Sequence, residues 1–402
     1  MRHDIQLAWV ATDLAGAAVS TPPLPNQAQF RVALDPAQRG FTAVPPVGAF
    51  WIIPVSFGNH LYAALADGTL GLQVIRSADG SDWEKIPQPS PYDKRYNNVW
   101  NMFVYRGCLY LSLIEDRCAD PANQTPGLIV RTANGKDWET VFQTAEVDGL
   151  VNQIGQLGAF NGMLYAATLP GFGQTGNAQL WRSRSGDPGA WELATPCLGQ
   201  NTDFTSSLTT FKGCAYLSAH DQAGMHVWRS VDGAQWTAVG DRVWADPQLT
   251  NWWGSNLVVF DDCLYIGANP WFFWLFRDIA TTYQGGGLYR SRDGAEWELV
   301  AERGFARLHP TQHPAGIDSL IVFQDQLLAF CDDLAPDWSS CTVNVWGSRT
   351  GNPGDWARLN DAGLGPNTLV TKGDLAAFKS RLFIGNQATF FNTAPTLIEM
   401  IH

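Results

Sequence analysis

The stretch Gly287-Leu-Tyr-Arg-Ser-Arg-Asp-Gly-Ala-Glu-Trp-Glu-Leu-Val300 decides the fold. Leu288, Tyr289 and Arg290 read as a short strand, Ser291 to Gly294 as a tight turn, and Trp297 to Val300 as the returning strand, which makes a β-hairpin. Asp293 can accept hydrogen bonds from amides of its own turn, Gly294 tolerates positive φ, and Trp297 offers a large apolar face to bury.

The same unit recurs along the chain. Arg76-Ser-Ala-Asp-Gly80 precedes Trp83, Arg131-Thr-Ala-Asn-Gly135 precedes Trp138, and Arg229-Ser-Val-Asp-Gly233 precedes Trp236. Arg182-Ser-Arg-Ser-Gly186 with Trp191 and Gly347-Ser-Arg-Thr-Gly351 with Trp356 are versions with a longer tip. Ahead of each hairpin lies a second landmark, an aromatic residue followed five positions later by a Tyr-like residue that opens a strand. The pairs are Phe57/Tyr62, Tyr105/Tyr110, Phe160/Tyr165, Phe211/Tyr216, Phe260/Tyr265, Phe323/Leu328 and Phe378/Phe383. Successive landmarks are 48, 55, 51, 49, 63 and 55 residues apart, the spacing of four-stranded propeller blades that bury their faces only against one another. The reading is an all-β, seven-bladed β-propeller of antiparallel blades, one domain over residues 1–402.

Seven strand pairs but six Trp hairpins leave the last blade without an outer strand, so the N-terminus is expected to close the ring and remove the exposed edge. Asp35-Pro-Ala-Gln-Arg-Gly-Phe-Thr-Ala-Val44 matches Asp232-Gly-Ala-Gln-Trp-Thr-Ala-Val239 with two residues inserted, which places that strand at residues 41–45. Residues 1–40 then form an N-terminal strand, Ile5 to Val10, and an irregular closure segment.

The Ser-x-Asp-Gly-x-x-Trp turns resemble the Asp-box (BNR) hairpins of sialidase-like propellers, one residue shorter between Asp and Trp than the common pattern. The resemblance, with the strand pairs, covers about residues 41–402 and implies a fold rather than an activity, since such turns occur in hydrolases, lyases and binding propellers alike. Sialidase activity would require a Phe-Arg-Ile-Pro-like motif and an arginine triad; Phe30-Arg-Val-Ala33 departs from the motif at the Pro. The chain is also faintly similar to the propeller halves of bacterial natural-product alkylating enzymes, without their calcium-binding partner domain.

With 26 Lys+Arg against 38 Asp+Glu and a formal charge of −12, neither a nucleic acid nor an anionic membrane is expected as partner; a small-molecule ligand fits better. The N-terminus has no apolar leader core and no run of 18 apolar residues occurs, so a soluble, cytoplasmic monomer is expected. No phosphate-cradling loop, Gly-x-Ser-x-Gly elbow or His-Glu-x-x-His is present, so no cofactor and no metal are expected. The acidic loops around Glu115 and Asp332 read as solvated. Cys331 and Cys341 flank one loop and could pair, but in a reducing compartment free thiols are the expectation.

Candidate function sits on the variable loops of one face. Nine positions before the Tyr landmark, Asn101, Gln156, Ser207, Asn256, Ser319 and Asp374 form a polar ring near the tunnel. It either hydrates a water column or touches a ligand. Above it lie Asn98, Trp100, Asn152, Gln153, Asp203, Asn251, Trp253 and Asp318, a mixture of amides and aromatics suited to a neutral, partly aromatic molecule. His220 at a strand exit is a candidate acid/base with Asp318 or Asp203 as partner; a purely structural His220 is the simpler alternative. Trp271 and Trp274 belong to Pro270-Trp-Phe-Phe-Trp-Leu-Phe276, an apolar loop that caps the mouth, packs between blades, or serves self-association through residues 271–276.

Overall fold

In a computed structural model the structure describes residues 4–5, 28–35, 49–68, 70–88, 94–115, 124–147, 150–170, 178–196, 198, 204–221, 224–240, 251, 253–269, 285–308, 316–334, 341–360, 364, 374–386 and 396–401. They form seven antiparallel sheets, each with an inner strand, two middle strands and an outer strand. Blade 2 is representative, with Asn98–Tyr105, Cys108–Ile114, Leu128–Thr132 and Glu139–Gln143 running from tunnel to rim. Blade 6 consists of Ile317–Phe323, Gln326–Leu334, Cys341–Ser348 and Ala357–Arg358. The chain is therefore a seven-bladed β-propeller.

The hairpins close as their chemistry requires. In the turn after Leu288–Ser291, Asp293 Oδ1 accepts from the amides of Ala295 and Glu296, both at 2.8 Å, while Ser291 Oγ accepts from Gly294 N at 2.7 Å. Asp79 and Asp232 make the same pair of bonds. Asp293→Ala and Asp232→Ala are each expected to lower stability by about 1–2 kcal/mol, read as a denaturant midpoint, and to leave ligand binding per folded molecule unchanged. The backbone amides of Asp82 and Ser81 hold the Asp79 carboxyl down at about 2. A folded value below the unfolded one means that this support is present above about pH 4 and is lost as pH falls through the folded value.

Landmark residues tie blade to blade. Tyr62, Tyr110, Tyr165, Tyr216 and Tyr265 are all buried, and each ring backs the turn glycine of the next blade: Gly135, Gly186, Gly233, Gly294 and Gly351 respectively. Phe383 of the last blade backs Gly80 of the first in the same way. Apolar cores also lie between neighbouring blades. One joins Phe378, Phe383 and Leu397 of the seventh blade to Ile52, Leu61 and Ile75 of the first, so the ring is closed by the same packing that runs around it.

The closing strand comes from the N-terminus, but not from residues 41–45, which lie outside the described residues. Gln29–Leu34 occupies the outer position, antiparallel to Leu397–Ile401, and Asp4–Ile5 pairs on its far side. An outer strand that arrives from the other terminus is not reached through a hairpin, so it needs no turn signature, and matching residues 35–44 to a turn misplaced it. What positions it is burial and charge. Phe30 and Leu34 are buried, and Arg31 Nε meets Glu399 Oε2 at 2.6 Å. Blades 1, 2, 3 and 5 run this row in the opposite sense, with Arg on the third strand and Glu on the fourth, as in Arg290–Glu298 and Arg131–Glu139.

Candidate functional site

The inner strands share an irregularity that the repeat pattern did not reveal. In blades 2, 3, 4 and 6 the pairing register skips one residue, between Val99/Asn101, Ile154/Gln156, Thr205/Ser207 and Ile317/Ser319. The skipped residues are Trp100, Gly155, Ser206 and Asp318, ten positions before the landmark in each case. A bulge takes its residue out of the ladder and re-aims it, and bulges gather beside functional sites. Two of the four, Trp100 and Asp318, belong to the cluster below.

Most of the polar ring one residue further on joins one blade to the next. Asn256 donates to Leu320 O at 2.7 Å and accepts from Leu320 N at 2.8 Å, so one amide pairs with the inner strand of the next blade. Asn101 Oδ1 accepts from Leu157 N, Ser207 Oγ from Leu257 N, and Asp374 Oδ1 from the Trp51 indole at 2.7 Å. Gln156 Nε2 donates to Leu157 O. Apart from Asp374, whose partner is an indole, these side chains satisfy backbone groups of the inner strands, where an unmade bond is costly.

Three aromatic side chains meet where the bulges lie. The rings of Trp100 and Trp253 are 6.5 Å apart, and His220 lies over Trp253 at 4.8 Å with an interplanar angle of 32°. Blades 2 and 5 are not neighbours, so the indole pair crosses the tunnel. His220 is the penultimate residue of the second strand of blade 4, Cys214–Asp221, and is only 1% exposed. Trp253 is opposite Asn269 in the register of blade 5, and Asn269 Nδ2 donates to Asp318 Oδ1 of blade 6. Thus Trp100, Trp253, His220 and, through Asn269, Asp318 form one connected group from four blades.

Asp318 is buried beside a second acid. Asp332, one strand over, is 1% exposed. Burial raises the Asp318 carboxyl to about 7, against the opposing influence of its neighbour Asp332. The acid that accompanies Asp318 is therefore Asp332, which the sequence marked only as part of a solvated loop; the bulge at Asp318 is the feature that could have paired them.

The remaining candidates are placed individually. Gln153 is buried, with Nε2 on Thr125 O at 2.6 Å. Asn98 is fully buried and accepts from its neighbour Val99 N. Asn251 bridges Tyr289 Oη and Gly287 N. Asn152 gives its carbonyl to Gly127 N and Thr144 Oγ1. Glu115 clamps its own loop through Arg95 and Thr125 N. Asp203, Trp271 and Trp274 lie outside the described residues. Among the described residues no group of three or more His, Cys, Asp or Glu is placed to hold a metal, and no helix is long and apolar enough to cross a membrane. Cys108, Cys214, Cys263 and Cys331 are free thiols.

No family model and no curated protein sequence matches the chain. Solved structures do. An ulvan lyase aligns at TM-score 0.50 and 8% identity over 89% of this chain and 94% of that one. A Trypanosoma rangeli sialidase aligns at 0.48 and 13% over 89% of this chain and 59% of its own, and an α-L-arabinofuranosidase from Fusarium graminearum at 0.47 and 14% over 79% and 95%. The likeness is one of fold. The chain spans about three-fifths of the sialidase chain it matches.

Proposed function

We propose that the chain is an enzyme that takes a partly aromatic, uncharged small molecule at the tunnel end where Trp100, Trp253 and His220 meet, working by acid/base and hydrogen-bond catalysis, with natural-product biosynthesis as its setting. The observation that supports this reading is the indole bridge across the ring, beside which lies the Asp318 carboxyl, pushed up to about 7 by burial. Indole faces supply apolar area, and a group with that pKa can give or take a proton at working pH. In this reading the protein is cytoplasmic and needs no organic cofactor, Asp203 adds a second acid at the mouth, and the segment with Trp271 and Trp274 either caps the site or serves self-association.

A second reading, a ligand-binding propeller of lectin-like or scaffold type, is favoured by the burial of His220 beneath Trp253. The two separate by experiment. Trp253→Ala is expected to weaken binding of aromatic small molecules from a metabolite panel by about 10- to 100-fold. His220→Ala and Asp318→Asn are expected chiefly to lower turnover. Ligand binding that survives Trp253→Ala ends both readings of this site, whereas binding lost in that variant with no turnover by wild type across the panel leaves the binding propeller.

A further inference from the structure

We infer that the cavity between the outer strands of blades 5 and 6 is a second binding site, one that takes a single uncharged aromatic ring. It lies three strands out from the tunnel, about 14 Å at the usual strand spacing. It is therefore independent of the site proposed above.

The site begins where the outer strand of blade 5, Glu298–Ala301, ends. Arg303, Gly304 and Phe305 then adopt φ values of 51°, 58° and 68° in succession. No other described stretch has three left-handed residues in a row, and for a bulky aromatic this backbone is costly. Such strain persists only where the surroundings impose it, and it gathers at ligand sites. Here Gly304 N donates to Gly286 O at 3.0 Å and Phe305 N to Glu302 O at 2.8 Å. The Phe305 ring stacks on Trp346 of blade 6 at 4.8 Å with an interplanar angle of 17°, and meets Trp356 at 5.1 Å. The turn thus drives a side chain of blade 5 into the core of blade 6, where it is only 3% exposed.

Beside that wedge lies a cavity of about 300 Å³, walled by Leu299, Val300, Ala301, Glu302, Phe305 and Trp356. Val300, Phe305 and Trp356 are buried members of one apolar cluster, so the wall is held in place without a guest. The volume is at the small end of ligand sites, and apolar hollows of this kind take benzene-sized molecules. Phe305 and Trp356 are tilted 45° to one another, which offers an entering ring both a face and an edge, the contacts that aromatic pairs prefer. Charge on the ring is disfavoured for a physical reason. No Lys or Arg lines the cavity, and Glu302, the one charged residue of its wall, is already engaged, so a charged ring would lose its water without gaining a partner.

The test is a methyl NMR titration of the full chain labelled at leucine and valine, with phenol, benzoate and cyclohexanol as probes. Phenol is expected to move the Leu299 and Val300 methyl signals saturably, with a Kd on the order of 1 mM. Benzoate and cyclohexanol should bind about tenfold more weakly or worse, the first for its charge and the second for its lack of a π-face. Ala301→Leu, which fills the cavity from its own wall, should abolish the movement, and Trp253→Ala should leave it unchanged. The inference is overturned if phenol at about 10 mM produces no saturable movement, if benzoate or cyclohexanol matches phenol, or if the movement survives Ala301→Leu. Movement lost in Trp253→Ala overturns it too, because phenol would then be acting from the tunnel mouth. Wild type with the three probes decides the first two outcomes, so a variant that does not fold leaves the test intact.

Discussion

A chain lacking residues 1–40 is expected to aggregate on expression or elute as large oligomers. Gln29–Leu34 is hydrogen-bonded along Leu397–Ile401, and its removal bares the backbone edge of that strand, a template for pairing with another chain. It also removes Phe30 and Leu34, which are 1% exposed each. Large buried apolar side chains contribute about 2–5 kcal/mol apiece. Glu399, fully buried between Arg31 and Arg381, loses one of its two partners, and an undercompensated buried charge adds a further few kcal/mol. The total, on the order of 5–10 kcal/mol, rivals the whole stability of an ordinary domain. Size-exclusion chromatography and thermal melting check it. A truncated chain that stays monomeric and melts within a degree or two of full length would show that this strand does not close the ring, and a deletion ending at residue 27 should be far milder.

The second large effect is expected at a turn glycine. Gly294 has φ +76°, and a Cβ there would be driven into the Tyr216 ring, with Cε1 only 2.9 Å away. Tyr216 is fully buried between blades 4 and 5 and cannot retreat. Gly294→Ala thus combines a left-handed backbone with overpacking, for about 2–4 kcal/mol. Gly189→Ala is the internal control: its φ is +74° but nothing lies within 4 Å of the added carbon, so backbone strain of about 1 kcal/mol is all that is expected. Denaturant midpoints of the two variants separate contact from conformation. Equal losses would mean that the tyrosine-to-glycine packing contributes nothing to the joining of blades.

These two cases mark what could be read without coordinates. The turn at Ser291 to Gly294 is built from bonds within three residues, so its chemistry is written in the local string, and its repetition set the number of blades. Burial of the Tyr landmarks followed from the same regularity. Even the need for a strand from the N-terminus was legible, because a missing outer strand leaves an edge that must be covered. Its place was not, since Gln29–Leu34 is held by Phe30, Leu34 and the Arg31–Glu399 pair across 368 residues of sequence rather than by a turn.

The candidate site shows the same division more sharply. Composition at the strand ends marked Trp100, His220, Trp253 and Asp318 one at a time, because residue type and strand position are local properties. That Trp100 reaches Trp253 across the tunnel, that Asn256 is taken up by Leu320 of the next blade, and that Asp318 faces Asp332 rather than standing alone were decided by the tertiary structure. The physical reason is that the ring brings together residues from blades folded independently in sequence, and that a bulge at Trp100 or Asp318 shifts one side chain out of the strand alternation on which any reading of the sequence depends.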